Sequence, residues 1–396
     1  MRCSIVRLFP ALLLTIVPAP AVAGTAPGPG PESGDGPAIL FVRGADRSGG
    51  FLEAGNDAAR TEQLADITNT STSGGNHGWF ELAELLRANG FVVSQIAEPL
   101  EADAPATGPT TGAPLDFASL DLSAYDAVVL GSNNADYSAP FGQQQVDAIE
   151  AYVRSGGGVL FISDANFGGS WSDAPTSDQA FLDRFGWTMQ QDRGTYALRR
   201  SDGDFVTPDH PIVVGTDGNT IIDVIDGEGV SPIVVPEIDT APGVVSTIVI
   251  RARPGQQTRN NDRFPGQGTS RAVGPRDATL AVATVGAGPD AGRIAGHIDR
   301  NTFFNLNGAG TNINRFDNAA YAVNLFTWLV GPQSNPCGPA CPADLALPCG
   351  VLDLADVSAF IDAFLGMDDA VDFDGSGTFD LADIGAFVAS FTADCP

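Results

Sequence analysis

The sequence contains no lysine: its twenty basic residues are all arginine, set against 48 aspartates and glutamates, and the formal charge is −28 over 396 residues. A Walker lysine, a Schiff-base lysine and a polybasic membrane patch are therefore excluded. So acidic a chain repels nucleic acid, where binding rests on neutralising phosphates. It suits a salty or divalent-rich medium, although a composition favouring arginine, alanine and glycine accounts for the missing lysine equally well. Histidine is scarce, at His77, His210 and His297, and no cysteine lies between Cys3 and Cys337. No apolar stretch approaches the roughly eighteen residues that a membrane-spanning helix needs.

Export is legible instead. "MRCSIVRLFPALLLTIVPAPAVAG" opens with Arg2 and Arg7, continues with an apolar run from Leu8 to Val17 and closes on Ala21-Val22-Ala23. We read residues 1–23 as a signal peptide, removed with Cys3, so that the expected location is secreted or at the cell surface. Residues 24–36 are a Gly/Pro linker. Hydrophobic residues make up 43% of the chain, which supports a sizeable core and argues against global disorder. The remaining cysteines, Cys337, Cys341, Cys349 and Cys395, are even in number and confined to the last sixty residues. In an exported chain they read as disulfides; a zinc site competes, but the spacing fits no zinc module.

From 37 to 331 strand and helix patterns alternate. Strands are expected at 38–44, 91–96, 126–132 and 159–165, with helices at 77–90 and 142–158 between them. The continuous apolar runs are those of strands buried on both faces, so the order strand, helix, strand, strand, helix, strand predicts an α/β fold with a mostly parallel, flavodoxin-like sheet flanked by helices. Further strands are expected at 220–225, 231–236, 244–252, 278–286 and 292–298, and a closing helix at 316–331. A linker at 332–340 leads to a tail, 341–396, that repeats itself: "VLDLADVSAFIDAF" (351–364) and "TFDLADIGAFVASF" (378–391) match at a period of 27. Such a period is one supersecondary unit used twice.

The second repeat carries "VDFDGSGTFDLAD" (371–383). An EF-hand loop supplies calcium with oxygens from positions 1, 3, 5, 7, 9 and 12, with glycine at 6. Counted from Asp372, those slots hold Asp374, Ser376, Thr378 through its carbonyl, Asp380 and Asp383, with Gly377 at the turn and Phe379 pointing inward. Carboxylates this close repel one another unless a cation intervenes, so calcium is the expected cofactor. An acidic helix cap explains one or two of these aspartates but not the whole spacing. Aspartate at position 12 shortens the reach usual for glutamate. The first copy keeps Gly350, Asp353 and Asp356 but has Leu345, Ala346, Leu347 and Cys349 in its early slots; packing and a disulfide are expected to hold it.

Tandem loop-helix units with "DLAD…F…F" resemble a dockerin domain, most closely the dockerin-like module of exported bacterial proteins that begins "CPADLA" and ends "CP". The resemblance covers about 337–396 and implies a small all-α calcium-binding domain that docks to a cohesin-like or cell-surface partner. It also implies a Cys341–Cys395 bridge, leaving Cys337 with Cys349.

"YDAVVLGS" (125–132), "IEAYVRSGGGVLFIS" (149–163), "DHPIVVG" (209–215) and "GRIAGHIDRNTFFN…NAAYAVNLFTWLVG" (292–331) resemble the class I glutamine-amidotransferase-like superfamily, notably its ThuA-like members. Glutaminases of that superfamily carry a cysteine after the strand, where this chain has Ser163, so glutaminase chemistry is excluded. A Ser163 hydrolase needs a histidine base, and Phe161 is bulky for a nucleophile elbow. Ligands of open α/β sheets bind beyond the strand carboxyl ends, which would gather Arg43, Asp46, Ser132, Asn133, Asn134, Ser163, Asp164, Asn166, His297 and Arg300. The expected function is that of an exported protein whose α/β domain, a binder rather than a catalyst, holds an extracellular ligand such as carbohydrate. The alternative is a secreted hydrolase acting on carbohydrate or its decorations.

Overall fold

The computed structural model describes residues 36–45, 63–64, 66–97, 117–131, 141–163, 179–189, 196–216, 218–227, 233–253, 273–288, 291–298, 300–308, 310–331, 342–346, 352–366, 371–373, 376 and 378–393. The leader, almost all of the linker, the cysteines, Asp46, Ser132, Asn133, Asn134, Asp164, Asn166 and Asp374 lie outside the described residues, and only the backbone of Arg43 and Ser163 is described.

The strands are β1 (Ala38–Ala45), β2 (Gln63–Leu64), β3 (Val92–Ala97), β4 (Ala127–Gly131), β5 (Gly158–Ser163), β6 (Thr188–Met189), β7 (Tyr196–Arg199), β8 (Val224–Gly227), β9 (Ile233–Val234), β10 (Val244–Ile250), β11 (Asp277–Ala278), β12 (Leu280–Val285) and β13 (Gly292–Ile298). The helices are α1 (Phe80–Ala88), α2 (Gln143–Arg154), α3 (Pro211–Val214), α4 (Asn318–Val330), α5 (Leu354–Gly366) and α6 (Leu381–Thr392). Five strands run parallel in the order β3-β1-β4-β5-β13. Numbered by appearance that order is 2-1-3-4-5, the flavodoxin-like arrangement. β12 and β10 continue the sheet antiparallel beyond β13, and β2 pairs with the end of β1. β6, β9 and β11 form a small second sheet, and β7 and β8 a two-stranded ribbon.

The apolar runs are continuous because both faces are covered. Ile39 and Phe41 of β1, Val129 of β4 and Leu160 and Ile162 of β5 join one core with α1 and α4. Leu40, Val42, Val128, Leu130, Val159 and Phe161, the alternate residues, join a second core with α2. Period-two alternation sends neighbours along each strand to opposite layers. Two expected strands shrink. The 220–225 run yields β8 only from Val224, because Ile222 turns to donate its N–H to Val213 of α3. Within the described part of the run 231–236, Ile233 and Val234 are in strand, which stops before Pro236, a residue with no N–H to give the ladder. Helix α1 begins at Phe80 rather than 77, and Gly90, at φ 82°, follows its cap.

In the tail, α5 and α6 pack Phe360 on Phe387, ring centroids 4.1 Å apart and nearly parallel, over Ala343, Leu345 and Val371. The two phenylalanines are equivalent positions of the 27-residue repeat.

Gly292 opens β13 against the last turn of α2, where an added Cβ would overlap the Val153 carbonyl oxygen. Gly292→Ala is expected to cost about 3 kcal/mol or more, since backbone cannot yield as a side chain does; equilibrium unfolding in urea measures it.

Candidate functional site

A 2-1-3-4-5 sheet reverses direction between its first and third strands, and the crevice beyond their carboxyl ends is where such sheets take ligands. Here that point lies beyond the ends of β1 and β4. On the α1/α4 side the mouth is walled by two loops stitched together. In residues 66–79, Asp66 Oδ1 accepts from Thr68 N (2.8 Å), Thr68 Oγ1 (2.7 Å) and Gln95 Nε2 of β3 (3.0 Å). Gln95 Oε1 in turn takes Ile67 N at 2.8 Å. From the other loop, Asn305 Oδ1 accepts from Glu81 N at 2.8 Å, capping α1 from a distance, while its Nδ2 donates to the Asn69 and Ser71 carbonyls. Asn307 and Leu306 carbonyls receive Gly75 N and Asn76 Nδ2. Helix α1 has no cap from its own N-cap residue, Trp79, so the remote asparagine supplies an acceptor that the first turn needs.

His77 lies buried in this wall with its ring 5.1 Å from that of Phe304. Arg300 is also buried, and its carbonyl accepts from Trp79 Nε1 at 3.3 Å. His297, on β13 level with Ile162, faces α4: Tyr321 Oη is 2.9 Å from Nδ1 and Thr302 Oγ1 is 3.1 Å from Nε2. Thr302 donates its one hydroxyl proton to the Asp226 carbonyl. Nε2 must therefore be the donor to Thr302, and Nδ1 accepts from Tyr321. Burial pushes the Tyr321 phenol well above its ordinary pKa, keeping that proton in place. Both imidazole nitrogens are engaged within the protein. Ser163, at the end of β5, stands level with Ile298, one residue beyond His297. His210 is a helix cap rather than a simple turn residue: its Nδ1 accepts from Ile212 N at 3.2 Å and opens α3. Burial, with Arg293 nearby, pushes its pKa down to about 4.

Asp226, which residue patterns did not single out, ties this region together. Its N–H goes to Asn318 Oδ1, its carbonyl accepts from Thr302 and Asn318, and its Oδ2 meets Arg315 Nε at 2.8 Å and Thr311 Oγ1 at 3.2 Å. These partners are distant in sequence and carry no periodic signal.

The donor set of the tail loop can be compared with calcium's requirements. Ser376 Oγ lies 3.3 Å from the Thr378 carbonyl oxygen and Ser376 N donates to Asp372 Oδ1 at 3.0 Å. Asp383 is fully buried, and its Oδ2 accepts from Asp380 N at 2.9 Å while Asp380 Oδ1 caps Ala382 N at 2.7 Å. The first copy repeats the cap with Asp353 and Asp356. Asp356 Oδ1 accepts from Leu345 N and Ala346 N, and Oδ2 from Asp353 N. Main-chain donors there take both oxygens of the twelfth position. Among the described residues no three His, Cys, Asp or Glu side chains converge; the third ligand position, Asp374, is outside them.

No protein-family model matches the chain, and no curated protein matches it. In structure it is similar to a cytoplasmic protein from Salmonella typhimurium, at 15% identity over 74% of this chain and 98% of that one, TM-score 0.40. It is similar also to the mmIFT52 N-terminal domain, at 13% identity over 74% and 97%, TM-score 0.39. A protein described as ThuA-like from Bacteroides uniformis follows, at 13% identity over 79% and 95%, TM-score 0.35. The α/β fold itself is read from the strand order above.

Tyr321→Phe leaves His297 Nδ1 without its donor and is expected to cost about 1–3 kcal/mol, seen as a lower urea midpoint. A depressed histidine pKa gives stability that is complete above the unfolded value of 6.5 and is lost as pH falls toward about 4. His210→Asn keeps a capping acceptor and should flatten the stability profile across that window, measured by unfolding at successive pH values.

Proposed function

We propose that the protein is exported and works outside the cell as a binding protein. On this reading its amidotransferase-like, ThuA-like α/β domain holds a carbohydrate ligand at the mouth of the sheet. A calcium-binding dockerin-like tail fastens it to a cohesin-like or cell-surface partner.

One observation carries the docking part. Leu354 and Leu381 are 81% and 82% exposed, and Ile361 and Val388 are 49% and 50% exposed. Each pair occupies equivalent positions of the repeat. Large apolar side chains this exposed are unusual unless something covers them, and here the same residues are left out twice. The spacing of the acidic loop supports calcium. For the α/β domain, support for binding over catalysis comes from the histidines. His297 is bound on both nitrogens by Tyr321 and Thr302, and His210 caps a helix beside Arg293, which starts β13 at the sheet's opposite end.

The test is hydrogen exchange and circular dichroism on the leader-free chain in EDTA and in calcium. Calcium should slow exchange in 352–366 and 381–393 and raise helicity, and Asp372→Asn with Asp383→Asn should abolish both effects while leaving exchange in the sheet unchanged. Identical spectra and exchange with and without calcium would sink the attachment reading. A glycan array with the same chain tests the ligand, and turnover of a bound glycan would move the reading to a hydrolase.

A further inference from the structure

Where the β7–β8 ribbon meets the loop leading into α4, two guanidinium groups share one phenyl ring. Arg199 Cζ lies 5.5 Å and Arg315 Cζ 5.3 Å from the Phe316 centroid, within the range of cation–π attraction. Phe316 is 47% exposed and its φ is 48°. Bulky side chains rarely occupy left-handed backbone, and residues held there collect at ligand clamps. The ring adds little to the core, so its constrained placement calls for a different account.

The two arginines have unused donors. Arg315 engages Asp226 through Nε, and among the described residues neither its Nη groups nor any nitrogen of the Arg199 guanidinium meets an acceptor. The acids around them do not fill that gap. Asp226 is buried and its Oδ2 already holds Thr311 Oγ1 and Arg315 Nε. Asp317 gives Oδ2 to the N–H groups of Asp223 and Val224, and Asp223 lies in solvent with Arg200 at 3.7 Å. Guanidinium forks match a carboxylate, sulfate or phosphate in two parallel hydrogen bonds. In a chain of net charge −28, a pair of open forks is a local exception to a surface that otherwise repels anions.

We propose that Arg199 and Arg315, both seated on Phe316, form a binding site for an oxyanion group of a small ligand. Phe316 is a positioning residue: its ring sets the two forks, and the left-handed backbone is the strain that keeps it there. The site stands independently of calcium in the tail.

Isothermal titration of the leader-free chain with sulfate, phosphate and glucuronate, at ionic strength held constant with chloride, tests this. Saturable binding is expected, weakened about tenfold or more by Arg199→Gln and by Arg315→Gln, each of which removes a charge-assisted fork. Arg199→Gln controls for folding, since that guanidinium bonds nothing in the described fold. Phe316→Asn should weaken binding while the melting temperature holds or rises, because asparagine tolerates left-handed backbone; a ring that only packs would give a lower melting temperature with binding intact. Preference for glucuronate identifies a sugar acid, and equal binding of sulfate and phosphate an ester or free ion, and either supports the site. Absence of saturable binding, or wild-type affinity in Arg199→Gln, overturns it.

Discussion

Main-chain N–H groups that begin a strand or open a helix need an acceptor, and in this chain short acidic and amide side chains supply it. Asp126 Oδ2 takes the N–H of Ala38 where β1 begins, joining it to the strand beside it. Asp317 receives the two N–H groups at the start of β8, and Asp239 that of Ser246 on the edge strand β10. Asn305 and Asn318 do the same with amides, each bonding at both ends of its side chain. An ionised acceptor makes a shorter and stronger bond to N–H than a neutral one. These carboxylates are stabilised by main-chain donors without a matching cation.

That economy explains what was legible. The parallel sheet was, because strands buried on both faces leave uninterrupted apolar runs such as "AILFV" and "VLFIS", and no helix of that composition would be so short. Capping glycines and the repeat were legible for similar reasons: backbone geometry and duplication leave local marks. What stayed hidden depends on partners far away in sequence. Asp226 looks like any turn aspartate in "IIDVIDGEG", yet it joins residues from 302 to 318. His297, grouped with the ligand-facing residues because it ends a strand, faces Tyr321, and only the register of β13 on β5 decides that face. Arg199 and Arg315 meet across more than a hundred residues on a phenylalanine whose backbone strain no composition reveals.

The two copies in the tail show the same acceptor logic carried to different ends. In the first, the early loop has lost its acids, and Asp356 is satisfied by three main-chain N–H groups. In the second, Asp383 and Asp380 keep the same cap, so one oxygen of each is already committed. Asp372 accepts from Ser376 N, and Asp374 adds a further charge within the same short loop. No basic residue occurs between 337 and 396 to offset these acids. The second copy keeps in its loop the acids that the early slots of the first copy lack, and that difference in sequence is what the proposed calcium site rests on.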